Sequence, residues 1–357
     1  MAQIVLGVAA PHSPLLAVRP DQWELPDGEA AVGGGTTSST FPPPSRHHGR
    51  FLLRGEVLDH AGLAAARAGE GWEERCTPDA RQDAYDRCLA AQERQAEALL
   101  GADLDAMVII GDDHLEWFGH GVTPSFMIYN GERVTNFALT PAQREHGVGV
   151  HNNPIRHAGQ LVNRPPEDTD YPLHPELAEH LVRSVVADHI DIAECRNQPV
   201  GPDGAVLNLP YAFTFVQRRI LSDRLLPMVP VMVNAYFPPI QPTARRCFEF
   251  GQALGRAIRS WDRPDRIAVV AAGGMSHVVI DEELDRLVLD SLAHRKHGDL
   301  TALPEPWLQG GNSELKEWIT TAGVLADSAL EFRELDYTQV VRSEAGTGQG
   351  MGYGIWS

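Results

Sequence analysis

Four short apolar runs that each end in polar residues constrain this chain more than anything in its composition. Residues 3–9 lead into Ala10, Pro11, His12 and Ser13, and residues 105–110 into Gly111, Asp112, Asp113 and His114. Residues 225–233 reach Asn234, Ala235, Tyr236 and Phe237, and residues 267–272 reach Gly273, Gly274, Met275, Ser276 and His277. Continuous apolar runs of this length read as strands covered on both faces, as in an α/β sheet. Ligand sites in such sheets gather just beyond the carboxyl ends of the strands. Three of the four runs put a histidine there, so His12, His114 and His277 are expected on one rim.

Helical patterns fill the intervals, over residues 79–101, 174–187, 243–261, 281–294 and 314–327. In the first, Ala84, Cys88, Ala91, Gln95, Ala98 and Leu99 recur at helical spacing with no interrupting proline or glycine. Strands alternating with helices predict a three-layer α/β fold, one large catalytic domain over residues 1–357. Residues 20–50 break the pattern with Gly33-Gly34-Gly35, Thr36-Thr37-Ser38-Ser39 and Pro42-Pro43-Pro44, the composition of a loop insertion. Because it leaves the chain soon after His12, this insertion is expected to border the site as a cover. Residues 298–312 are similarly rich in glycine and proline and are a second candidate border.

Hydrophobic residues make up 43% and charged residues 22% of the 357, a globular balance. The formal charge of −18 argues against a nucleic-acid partner, since phosphates demand a basic surface. The four cysteines form no Cys-x-x-Cys pair, which supports neither a zinc knuckle nor a disulfide framework. No 18-residue apolar stretch and no leader pattern appear, so the expected address is soluble and cytoplasmic, with no membrane partner.

Two neutral imidazoles and one carboxylate suit iron(II) and leave adjacent positions for a bidentate substrate and oxygen. The same set holds catalytic zinc. His12 and His114 supply the imidazoles on this reading. Asp112 and Asp113 are nearby acids, either of which can orient a ligand imidazole through its second nitrogen. Glu314, opening the run Ser313-Glu314-Leu315-Lys316-Glu317, has a plainer account as a first-turn acid near exposed helix amides. His277, with Gly273 and Gly274 before it, is placed to take and return a proton near neutral pH. His151, His157, His174 and His180 are further candidates, His180 on a helix surface.

In order along the chain, Gly7 to Pro14, Ile109 to His114, Pro230 to Pro239, Gly273 to His277 and Gly311 to Leu315 resemble the class III extradiol ring-cleavage dioxygenases. Within that family they are most similar to catalytic beta subunits of the protocatechuate 4,5-dioxygenase type, and the closing Gly346 to Gly352 segment resembles a glycine-rich tail of some relatives. The resemblance implies a mixed central sheet and non-haem iron(II) held by His12, His114 and Glu314. It implies an acid/base role for His277, and a second pocket histidine at His174. It further implies extradiol cleavage of a small catecholic acid of the gallate, 3-O-methylgallate or protocatechuate type, with both atoms of dioxygen incorporated. The separation of His12 from His114 exceeds that of the small beta subunits because of the insertion, and no small helical subunit is fused. A homodimer is therefore the expected assembly, with a separately encoded small subunit as the other arrangement. Tyr236, Phe237 and Trp117 are candidate pocket aromatics, Asn234 and Ser13 candidate oxygen-orienting groups, and Arg156 or Arg164 a candidate carboxylate anchor. A zinc-dependent hydrolase with the same ligands and a non-catalytic metal-binding protein are the competing functions.

Overall fold

The four apolar runs become four neighbouring parallel strands. In the computed structural model, which describes residues 1–24, 50–119, 121–147 and 154–357, these are β1 (Gln3–Ala10), β2 (Ala106–Gly111), β5 (Met228–Val233) and β6 (Arg266–Ala272). The same sheet contains β3 (Phe126–Tyr129), β4 (Ala193–Cys195), β7 (His277–Val279), β8 (Phe332–Val341) and β9 (Thr347–Trp356). The strand order is β7-β9-β1-β6-β2-β5-β3-β4, with β8 paired to β9. The centre β1-β6-β2-β5 is parallel, while β9 runs antiparallel to β1, β7 and β8 and β3 antiparallel to β5, making the sheet mixed. Ala10 pairs with Ala272, Ala272 with Gly111 and Gly111 with Met232, so the four central strands stop level and deliver their polar residues to one rim.

Helices cover both faces. They include α1 (Pro78–Gly101), α2 (Pro154–Asn163), α3 (Pro175–Ala187), α4 (Tyr211–Phe215), α5 (Ala244–Ser260), α6 (Glu282–Ala293) and α7 (Leu315–Leu325). Period-two alternation of β2 splits the core. Val108 and Ile110 join a cluster with Leu181, Phe250, Leu254, Leu284 and Ile319, whereas Met107 and Ile109 join Cys88, Ala91, Phe213 and Phe215 on the other face. Both faces of the sheet are thus apolar because both are buried, which gives the expected layered α/β arrangement. The helix patterns begin where capping groups stand: Thr77, Thr243 and Asp281 each accept an amide hydrogen bond at the start of α1, α5 and α6.

α7 is buried along its whole length and crosses α5 at close range. A Cβ at Gly251 would collide with the Thr320 carbonyl and one at Gly323 with the Phe248 carbonyl, so only glycine permits this approach. That contact seats the amino end of α7, and Glu314 just before it, beneath the rim. The glycine-rich tail is the unexpected element. It forms β9, a buried strand among three neighbours, because adjacent side chains fill the space its glycines leave: the Phe332 ring lies over Gly354 and the Met275 sulfur over Gly352.

Most of the 20–50 insertion, and His151, lie outside the described residues. Its flanks are a short turn over Pro20–Gln22, the buried Trp23, and a hairpin of Arg50–Leu53 with Glu56–Asp59. No helix among the described residues is long and apolar enough to cross a membrane, and the four cysteines are free.

Candidate metal centre

Local geometry turns three imidazoles towards one carboxylate. His12 follows β1, and its Nδ1 lies 2.9 Å from the Ala272 carbonyl at the end of β6. A carbonyl can only accept, so Nδ1 carries the hydrogen and the Nε2 lone pair faces the rim. His277 is held the same way, Nδ1 donating to the Met275 carbonyl at 2.8 Å. His114 follows β2 and places Nε2 3.3 Å from Glu314 Oε1. Glu314 is 1% exposed and makes no helix cap. Its Oε2 accepts from Gly274 N at 2.6 Å and lies 3.5 Å from His12 Nε2, while Oε1 lies 3.1 Å from His277 Nε2. The first-turn account of this acid is thereby excluded.

Asp112 joins the group. Its Oδ1 lies 3.7 Å from His12 Nε2 and its Oδ2 3.3 Å from His114 Nε2. Donor atoms of His12, Asp112, His114 and Glu314 all fall within 4.8 Å of one another, a set that could hold a metal ion. Two metal–ligand bonds of about 2.1 Å at right angles place their donor atoms about 3 Å apart, close to the spacings found here. His12 Nε2 and both Asp112 oxygens are buried and receive no hydrogen bond, as expected of groups arranged around a cation. The donor set, two imidazoles with carboxylates, is consistent with a non-haem iron site.

The electrostatics carry the same signature. Burial acts to raise the Glu314 carboxyl, but the electrostatic pull of His277 and His12 and the neighbouring His114 side chain reverse this and hold it well below its usual value. Asp112 goes the other way: burial first, then Glu314 and Glu317, push it well up. Two carboxylates this close do not both ionise readily without a cation between them. Burial lowers His114, against the pull of Glu314. For His277 burial also acts downward, yet the charge and hydrogen bond of Glu314 and the Met275 carbonyl leave it raised.

Several expected roles are corrected. His174 does not join the cluster. It precedes α3 at the other end of the sheet, where its Nε2 pairs at 3.3 Å with Asp265, the residue before β6, and its Nδ1 accepts from Leu177 N. The rim begins where β6 ends, so a full strand separates His174 from His277. His180 bonds the Ala257 carbonyl and Ser260 on helix surfaces. Neither aspartate orients an imidazole through its second nitrogen: Asp113 accepts from the amides of Glu116, Trp117 and Phe118, and His12 is oriented by a backbone carbonyl. Ser13 and Asn234 brace their own turns, towards Leu15 N and Phe237 respectively. Trp117 and Phe237 are packed, on Tyr129 and Phe118. Arg164 is committed to the Phe137 carbonyl at 2.7 Å. Of the 298–312 segment, Asn312 and Gly311 do border the site: Asn312 Oδ1 accepts from His277 N at 3.1 Å, and Gly311 lies against the His277 ring.

Tyr236 reaches further than a packed aromatic. Its hydroxyl donates to Glu314 Oε1 at 2.5 Å and lies 3.3 Å from His277 Nε2, with its ring 5.0 Å from that of His114. Its place after β5, level with the three histidines, was the available signal. The family model for the catalytic LigB subunit of aromatic ring-opening dioxygenase matches residues 96–349. The chain belongs to this family. The matched span contains His114, His277 and Glu314, and His12 precedes it, just after β1. A gallate dioxygenase of Pseudomonas putida is 34% identical over 167 residues, 43% of this chain and 46% of that relative. The alignment thus covers less than half the length of the curated relative.

Proposed function

We propose that this chain opens the ring of a catecholic acid of the gallate, 3-O-methylgallate or protocatechuate type, beside the paired hydroxyls, with iron(II) held by His12, His114 and Glu314. The observation that carries this reading is the opposed use of Glu314. Its carboxylate shares one small space with two metal-ligand imidazoles and with His277, whose Nε2 faces the same centre. Bound iron(II) supplies Lewis acidity towards the substrate hydroxyls and a redox route to dioxygen. His277 accepts a hydroxyl proton at Nε2, while its Nδ1–H bond to Met275 keeps the ring from turning away. Tyr236 holds Glu314 Oε1 and forms one wall for the ring. Family membership and the likeness to a gallate dioxygenase support the substrate class. Iron(II) reconstitution under argon, followed by air and a catecholic acid, should consume one dioxygen per ring opened. Metal-loaded protein that takes up no oxygen with any of the three acids, or that hydrolyses esters when loaded with zinc, would overturn the assignment.

Arg156 is the proposed reader of the substrate carboxylate. It shares a face of α2 with Gly159, three residues on, where the helix runs against Pro14 and the Tyr211 hydroxyl. The Tyr211 ring stands 5.5 Å from that of His12, so this face borders the centre. Burial lowers the Arg156 guanidinium from its usual range, against the charge of Glu116 and the Tyr236 and Tyr211 phenols. A hydrogen bond to a charged group contributes about 1.5–3 kcal/mol. Arg156→Gln should therefore raise KM for gallate by roughly 10- to 100-fold while leaving pyrogallol, which lacks the carboxylate, nearly unchanged. An equal effect on both compounds would place the anchor elsewhere.

A further inference from the structure

We propose that Asp285, acting through Ser276, is a positioning residue for His277; the proposal rests on the acid/base assignment of His277 above. Asp285 lies in the first turn of α6 and is wholly buried. One carboxylate oxygen accepts from Ser276 N at 2.8 Å; the other accepts from Ser276 Oγ at 2.7 Å and from the Tyr337 hydroxyl, on β8, at 2.8 Å. The Ser276 hydroxyl also accepts from Asp281 N at 2.8 Å, and the Ser276 carbonyl accepts from Gly350 N at 2.8 Å. Every polar atom of the residue before His277 is thus committed, most of them to one carboxylate or its helix.

Two further observations make this a built cradle rather than a chance contact. The backbone is left-handed immediately after the imidazole, at Val278 with φ +68°, a conformation costly for a β-branched residue. Something must hold the loop in it, and a carboxylate gripping Ser276 does so from one side while β9 pairs with Val278 from the other. At Gly350, moreover, a Cβ would collide with Asp285 Oδ2, so β9 carries glycine where the carboxylate sits. Burial pushes the Asp285 carboxyl up to about 7 against its three hydrogen bonds. A group that costs this much to bury, in a loop that an amide or hydroxyl could also cap, is explained by the accuracy it gives to the next residue. Proton transfer needs that accuracy, since small misplacements of a catalytic group cost large factors in rate.

Asp285→Asn keeps the shape and one accepting oxygen. It should leave iron content, melting temperature and KM close to those of the parent and lower kcat by roughly 10- to 100-fold. A second readout needs neither metal nor turnover: in metal-free protein the imidazole nitrogen NMR signals of His277 should broaden or double in the variant while those of His12 stay in place. If Asp285→Asn fails to fold, Ser276→Ala, which removes the hydroxyl link and keeps the Ser276 amide, should give the same pair of changes. Unchanged kcat, unmoved His277 signals, or joint loss of His12 order and iron in a folded variant would each overturn the proposal. A parent that opens no ring, with His277 signals still displaced by the substitution, would instead fail the ring-opening reading and leave the positional link standing.

Discussion

Glu314→Ala is expected to abolish stable iron binding. In the parent the Glu314 carboxylate faces three imidazoles and a phenol of the centre: His12 through Oε2, and His114, His277 and Tyr236 through Oε1. Removing one partner of a buried charged pair typically costs about 3–5 kcal/mol, so iron affinity should fall by roughly two to four orders of magnitude. The alanine also leaves Gly274 N without its acceptor, which confuses loss of charge with loss of fold. Glu314→Gln separates the two. Its amide oxygen still accepts from Gly274 N, so the variant should melt close to the parent yet retain little iron after desalting. Metal analysis of both variants, with circular dichroism as the check on folding, decides the matter. A glutamine variant that keeps full iron content would remove Glu314 from the ligand set and move Asp112, whose two oxygens face His12 and His114, into its place.

How much of this was legible in the sequence depended on whether a residue's role was local. The four rim strands could be read from apolar runs because a strand covered on both faces must be apolar throughout, and their polar ends marked the site. Helix limits were legible to within a few residues because caps are local: the pattern over 281–294 became α6, capped by Asp281. Family resemblance brought Glu314 to the centre, which residue chemistry alone had left as a first-turn acid. β9 was missed because strand propensity disfavours glycine, and only the shapes of Phe332, Met275 and Asp285 across the strand make its glycines fit. His174 was misplaced because a histidine at the start of a helix looks the same at either end of a sheet. Asp112 was visible as an acid beside His114, but its reach to His12 depends on β6 lying between β1 and β2, a strand order no single run encodes.

His277→Ala is expected to keep iron and lose turnover. Its Nε2 faces Glu314 Oε1 at 3.1 Å, but His277 is not among the four residues whose donor atoms close on one another. Its substitution therefore leaves His12, His114 and Glu314 in place, with Gly274 N and Tyr236 still holding the carboxylate. A positioned acid/base group contributes about 10²- to 10⁴-fold, so kcat should fall by roughly that factor while KM changes little. The ring packs against Gly311 and its backbone is held by Asn312, so alanine opens a hole without releasing the loop. That hole makes a chemical-rescue test possible: added imidazole should restore part of kcat in His277→Ala and none in Glu314→Ala, whose defect is metal retention. Oxygen uptake at saturating catecholic acid, with iron measured on the same samples, provides both numbers. Iron loss in His277→Ala matching that in Glu314→Ala would make His277 a ligand in place of a proton carrier, and parental kcat with full iron would move the proton transfer to Tyr236, which also touches Glu314 Oε1 and is not one of the proposed metal ligands.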